Sequence, residues 1–82
     1  MKLIIKSGEK LKKEFELKCS PDELTAEVDK FLPSIETQLH VSIDYVVSGD
    51  TAEFMCDSCL NPMLFDFICT IAQTELKKKN LI

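Results

Sequence analysis

The chain has 82 residues, of which 45% are hydrophobic and 29% charged, with only two glycines and three prolines. This composition excludes intrinsic disorder, and the length allows a single domain, residues 1–82, with one modest core. The formal net charge of -4 argues against a broad nucleic-acid interface, because such an interface needs a basic face to displace counterions.

Targeting signals are not evident at the start of the chain. The opening MKLIIKSGEK has an apolar run of only three residues, too short for the core of a secretory signal. No apolar run approaches the ~18 residues that a membrane span needs. We therefore expect a cytoplasmic protein with no membrane partner, and reduced thiols in its four cysteines.

Two matching turn signals divide the chain into similar halves. The triplets Ser7-Gly8-Glu9 and Ser48-Gly49-Asp50 each lie between two strand-like runs. Each is followed, at the same interval, by a good N-cap residue and a proline, Ser20-Pro21 and Asn61-Pro62. The pattern therefore predicts the order strand, strand, helix in each of two halves, residues of about 1–41 and 42–82.

The first predicted hairpin pairs residues 2–6 with residues 11–19. The second strand alternates cleanly between apolar and charged side chains, as a half-buried strand does. Placing Leu3 opposite Phe15 requires an odd number of loop residues. The pattern therefore predicts a three-residue turn at residues 8–10.

The first helix should begin after Ser20, where Ser20 and Glu23 are spaced as in a capping box. Pro33 interrupts the helix and removes one amide donor, at about 3 kcal/mol if the helix stays straight. The apolar spacing nevertheless continues beyond Pro33. We therefore expect one kinked helix that ends at about Thr37.

The second predicted hairpin turns at Gly49-Asp50. A two-residue loop there places all apolar side chains of both strands on one face. The predicted cross-strand pairs are Val47 with Ala52, Tyr45 with Phe54, and Ile43 with Cys56.

The second helix should run from Pro62 to about Lys79, and its apolar surface is wider than one packing stripe. Phe65, Cys69 and Ala72 widen the apolar arc. Either this helix is covered on two sides within the domain, or part of it meets another chain. These three residues are therefore candidate binding residues.

The predicted fold is α+β, with ββαββα order, a four-stranded antiparallel sheet and both helices on one face of the sheet. The other face of the sheet should be mainly polar. It also carries Ile4, Val46 and Met55, which we predict as a candidate docking patch if they are contiguous.

The opening segment MKLIIKSGEKLKKEFELKCSPDELTAEVDKFL has the order hairpin, then helix. In this order it resembles the start of ubiquitin-like β-grasp domains. The resemblance implies a similar start of the fold and no function. β-grasp domains finish with strands, whereas this chain should finish with a helix.

The pair Cys56-x2-Cys59 allows a metal or a redox interpretation. Structural zinc needs four ligands, and Cys19, Cys69 and His40 do not have the spacing of a second ligand pair. Redox dithiols place the reactive thiolate at a helix N-terminus, but both cysteines precede the N-cap Asn61. A thiol- or zinc-dependent protein is therefore the alternative hypothesis, with no cofactor as the main one.

No set of catalytic residues can be assembled from this sequence. The single histidine, His40, lies between the first helix and the third strand, where a solvent-facing linker residue is expected. We therefore predict a non-catalytic protein–protein interaction module. It should be a homodimeric regulator, adaptor or inhibitor of a larger assembly, with a protein as its partner and no nucleic acid.

Overall fold

A computed structural model describes residues 1–56 and 61–82. It confirms the α+β class and the predicted order of elements. The elements are β1 (Lys2–Ser7), β2 (Leu11–Glu16), α1 (Pro21–Leu39), β3 (Asp44–Ser48), β4 (Thr51–Met55) and α2 (Pro62–Lys78).

The four strands form one sheet in the order β2-β1-β4-β3. Both hairpins are antiparallel, but β1 and β4 pair in parallel, so the prediction of an all-antiparallel sheet is wrong for the central pair. The hairpin-then-helix start, on which the resemblance to β-grasp domains rests, is present. The last element is the helix α2, as predicted, where β-grasp domains finish with strands.

Burial explains why β1 and β4 occupy the centre of the sheet. Both strands alternate buried and half-buried residues, whereas β2 and β3 are mostly exposed. The two strands that bury the most apolar surface therefore each have a neighbouring strand on both sides. The helix α1 returns the chain across the sheet between the two hairpins, so β1 and β4 run in the same direction.

The predicted hairpin registers are confirmed for the strand residues. Leu3 lies opposite Phe15 across a three-residue turn, and Gly8 in that turn has a positive φ of 63°. In the second hairpin Val47 pairs with Ala52 and Tyr45 with Phe54. Ile43 and Cys56 are buried as expected but lie beyond the paired residues of β3 and β4.

The first turn of α1 is capped as predicted. The backbone N–H of Glu23 donates to Oγ of Ser20 at 3.3 Å, and the Ser20 hydroxyl donates to Oε1 of Glu23 at 3.2 Å. The helix continues through Pro33 and ends at Leu39, beyond the predicted end at Thr37. Burial of Ile35 after the proline explains why the helix continues, because the apolar face stays on the core.

Both helices cover the same face of the sheet. On the α1 side, the Thr25 and Tyr45 hydroxyls form a hydrogen bond of 3.0 Å. On the α2 side, Nζ of Lys13 lies 3.3 Å from Oδ1 of Asp66. Tyr45 and Lys13 point to the same face because they pair with Phe54 and Ile5, whose side chains are buried in the core. The other face of the sheet is open.

The single tyrosine gives a direct test of the α1–sheet packing. Burial raises the pKa of Tyr45 above 10, the Thr25 hydrogen bond opposes this shift, and the charge of Asp29 adds to it. The neutral phenol is therefore favoured in the folded state. Its contribution to stability should be complete below the unfolded-state pKa of about 10 and be lost as the pH rises through the folded-state pKa.

Ultraviolet absorbance of the phenolate measures this shift, because no other tyrosine contributes to the signal. We expect the native chain to titrate at a higher pH than the chain in denaturant. Thr25→Val should raise the pKa of Tyr45 further, because it removes the opposing hydrogen bond. A native titration that coincides with the denatured one would contradict the packing of Tyr45 under α1.

Candidate interaction surface

The open face of the sheet holds the three predicted patch residues, but charges separate them. Glu53 is the cross-strand neighbour of both Ile4 and Val46, so it lies between them. Met55 pairs directly with Lys6 on one side and Asp44 on the other. Nζ of Lys6 also lies 3.6 Å from Oε2 of Glu53. Every direct cross-strand neighbour of the three residues is therefore charged, and Met55 lies diagonal to both Ile4 and Val46.

The three predicted α2 residues lie in the core. Phe65, Cys69 and Ala72 are 3%, 1% and 0% exposed, so they are not available to a partner, and their prediction as binding residues is corrected here. They point toward the sheet together with Ile68 and Leu76. The wide apolar arc of α2 was expected to be covered either within the domain or by another chain. At these three residues it is covered within the domain.

Sequence reasoning missed the residues of α2 that do remain exposed. Met63 is 80% exposed and Phe67 is 52% exposed. A helical rotation of 100° per residue puts both on the side opposite Phe65, Cys69 and Ala72. The helical spacing separates Met63 and Phe67 from the other three residues, but it does not show which of the two sides meets the sheet.

We call the outward face of α2 the surface formed by Met63, Phe67, Thr70 and Thr74, which are all exposed, with half-buried Leu64 and Ile71 along its border. None of these six side chains is charged, although the same rotation places exposed Lys78 on this side, at the C-terminal end of α2. The Thr70 hydroxyl donates to the backbone O of Asp66 at 2.9 Å, so its hydrogen bond is made within the helix. Covering this face would therefore leave no donor of Thr70 unsatisfied.

A shallow groove of about 320 Å³ lies beside the outward face, between α1 and α2. Phe31 and Ile35 of α1 and Ile71 of α2 form its apolar lining. Its rim is polar and consists of Lys30, Ser34, Gln38 and Glu75. Because Ile71 borders both, the groove extends the apolar surface of α2 toward α1.

The structure also bears on the cysteine alternative. Cys56 is buried and disulfide-bonded, so the expectation of four reduced thiols is wrong at this position. Cys59 lies outside the described residues. Within residues 1–56 and 61–82, no three His, Cys, Asp or Glu side chains gather as metal ligands. The zinc alternative stays a prediction that elemental analysis of the purified protein tests.

The thiols of Cys19 and Cys69 are free and buried. Burial raises the pKa of both, and that of Cys69 to about 11. Because the thiolate is the reactive form, we expect Cys69 to react with a disulfide reagent only as fast as the protein unfolds. A native-state thiol titration, with Cys69→Ala as the control, measures this rate. Rapid reaction of Cys69 at neutral pH would contradict its place in the core.

His40 is the C-cap of α1 and not part of a polar site. It is exposed and has a left-handed backbone φ of 54°, and its N–H donates to the backbone O of Glu36. The histidine therefore ends a helix, a position that asparagine or glycine fills more often. Its predicted place between α1 and the third strand is confirmed.

Neither helix in the described part of the chain is long and apolar enough to cross a bilayer. Comparisons with protein-family models, with characterised proteins and with solved structures find no match to this chain.

Proposed function

We propose that this chain is a non-catalytic protein–protein interaction module that works as a homodimer in the cytoplasm, as a small regulator, adaptor or inhibitor of a larger assembly. The observation that supports this proposal is the outward face of α2, where Met63 is 80% and Phe67 52% exposed. Large apolar side chains that are exposed side by side mark surfaces that bind other macromolecules.

The outward face is suited to a second copy of the same chain. With a twofold axis at Phe67, two antiparallel α2 helices place Phe67 on Phe67 and Met63 of one copy on Ile71 of the other. This works because Met63 and Ile71 are both four residues from Phe67. An isologous contact needs such a self-complementary set of residues.

Charge also favours a second copy on this face over a basic partner. The net charge is -4, but the outward face contributes no carboxylate to an interface. Two copies can therefore meet there without burying a like-charge pair. The carboxylates beside this face, Asp66 and Glu75, already lie 3.3 and 3.6 Å from Lys13 and Lys78, so they offer little to a basic partner.

Light scattering at micromolar concentration tests the proposal. The monomer has a mass of 9.3 kDa, and we expect the measured mass to be about twice that value. The apparent mass should fall toward the monomer on dilution, because a homodimer dissociates by mass action. A monomer at every accessible concentration would overturn the homodimer.

A further inference from the structure

The strand β3 is an open edge of the sheet, because the strand order ends there. Ser48 pairs with Thr51 across the two-residue turn, so this pair exchanges both ladder hydrogen bonds in a hairpin of this type. Bonded pairs alternate with non-bonded pairs along the ladder. The N–H and C=O groups of Tyr45 and Val47 therefore point away from β4, toward solvent.

The two edges of the sheet differ in how they are protected. The β2 edge, LKKEFE, has charged side chains at four of its six positions, and charge is the usual protection of an edge strand against further pairing. The β3 edge, DYVVS, has one charged residue, Asp44, at its end. Val46 is 47% and Val47 37% exposed, and they lie on opposite faces of the strand.

Negative charge surrounds the β3 edge without neutralisation. Asp44 begins the strand, and Asp50 lies in the turn just after it. Asp29 of α1 is close enough to affect the Tyr45 hydroxyl. All three are exposed, and none takes part in an ion pair with another described residue.

The other half of the sheet has the opposite character. Glu14 of β2 lies 3.6 to 4.0 Å from lysines of β1 and β2, and Glu53 of the central strand β4 lies 3.6 Å from Lys6. Glu9 and Glu16 on the β2 side are also outside the described ion pairs, but lysines lie close to them in the chain, whereas β3 and the turn after it contain no lysine. A strand of five residues spans about 17 Å, which sets the separation of the acidic groups at its two ends.

From these observations we propose that the β3 edge binds an extended segment of another protein, with lysine or arginine at both ends and β-branched apolar residues between them. The segment adds a fifth strand to the sheet. Main-chain hydrogen bonds to Tyr45 and Val47 supply affinity, and the flanking carboxylates select a basic segment. This inference rests on the proposed function as an interaction module but does not depend on the dimer through α2.

A second copy of β3 fits this edge less well. In an antiparallel pair centred on Val46, Asp44 of one copy lies opposite Ser48 of the other and beside its Asp50. Both ends of such a pair bring carboxylates together. Like charges at adjacent cross-strand positions are destabilising, so a basic segment is favoured over self-pairing.

Peptide binding tests the proposal. The probe is a fluorescent hexapeptide with lysine at both ends and alternating valine and threonine between them, and its matched control replaces both lysines with glutamate. We expect the basic peptide to bind at least about tenfold more tightly by anisotropy at low salt, and the difference to shrink as salt is added. Equal binding of both peptides, or no binding of either, would overturn the proposal.

Two protein variants locate the site. Val47→Pro removes an outward N–H without removing a ladder donor to β4, and it should abolish peptide binding. Val47→Thr keeps the donor and the β-branched shape, and it should bind as the natural chain does. The double variant Asp44→Asn with Asp50→Asn should weaken binding about fivefold. Undiminished binding by Val47→Pro would place the peptide elsewhere and overturn the proposal.

Two further measurements separate this proposal from the dimer. Circular dichroism of Val47→Pro shows whether the variant is folded, and the asparagine variant gives the answer independently if it is not. Light scattering measures the mass of each variant and shows whether it still dimerises. Loss of peptide binding with an unchanged mass supports the β3 site, whereas peptide binding by a monomeric protein supports the site and overturns only the dimer.

Discussion

Phe54→Ala should remove a large share of the free energy of unfolding. Phe54 is 1% exposed at the centre of β4, pairs with both Ile5 and Tyr45, and its ring contacts Phe31 and Tyr45 with centroids 6.3 and 5.4 Å apart. Truncating such a residue costs about 3–5 kcal/mol. Proteins have about 0.05–0.15 kcal/mol of stability per residue, or roughly 4–12 kcal/mol for a chain of this length.

Urea denaturation followed by circular dichroism measures this loss. The matched control is Phe67→Ala, the same substitution at a residue that is 52% exposed. At a concentration where the monomer dominates, we expect the control to change the free energy of unfolding by less than about 0.5 kcal/mol. Similar losses for both variants would mean that Phe54 does not anchor the core.

Phe67→Glu should convert the homodimer into a folded monomer. The proposed twofold axis passes by this residue, so the substitution brings two carboxylates together in a surface that excludes water. An uncompensated buried charge costs about 3–5 kcal/mol, which raises the dissociation constant by at least about 100-fold. The fold should be retained, because Phe67 points away from the core.

Light scattering with circular dichroism checks both parts of this expectation. Val46→Glu is the control, because Val46 is exposed to a similar degree, 47%, on a different surface and receives the same charge. The control should remain a dimer. If Phe67→Glu dimerises as strongly as the natural chain, the outward face of α2 is not the dimer interface.

The difference between Phe65 and Phe67 shows the limit of reasoning from the sequence about the site. Both belong to the apolar residues that make α2 wider than one packing stripe. Phe65 was expected to be available to a partner, but it is 3% exposed, whereas Phe67 is 52% exposed. Helical spacing places the two on opposite sides of α2. It does not say which side meets the sheet.

The patch on the open sheet face shows the same limit. Ile4, Val46 and Met55 share a face, as strand alternation predicts. Their contiguity depends on which strands are neighbours. The pairing of β4 with both β1 and β3 places Glu53 between Ile4 and Val46. No local pattern in the sequence contains that information.

Short-range patterns in the chain are enough to predict its local structure. Turn length and side-chain alternation fix the register of each hairpin, because a slip of one residue would turn every apolar side chain to the wrong face. Ser20 and Asn61 fix the helix starts, because each side-chain oxygen accepts a backbone N–H of the first turn. The parallel pairing of β1 with β4 and the side of α2 that stays exposed do not follow from such patterns. Both depend on which arrangement of the two halves buries the most apolar surface. That burial comes from contacts between residues far apart in the chain.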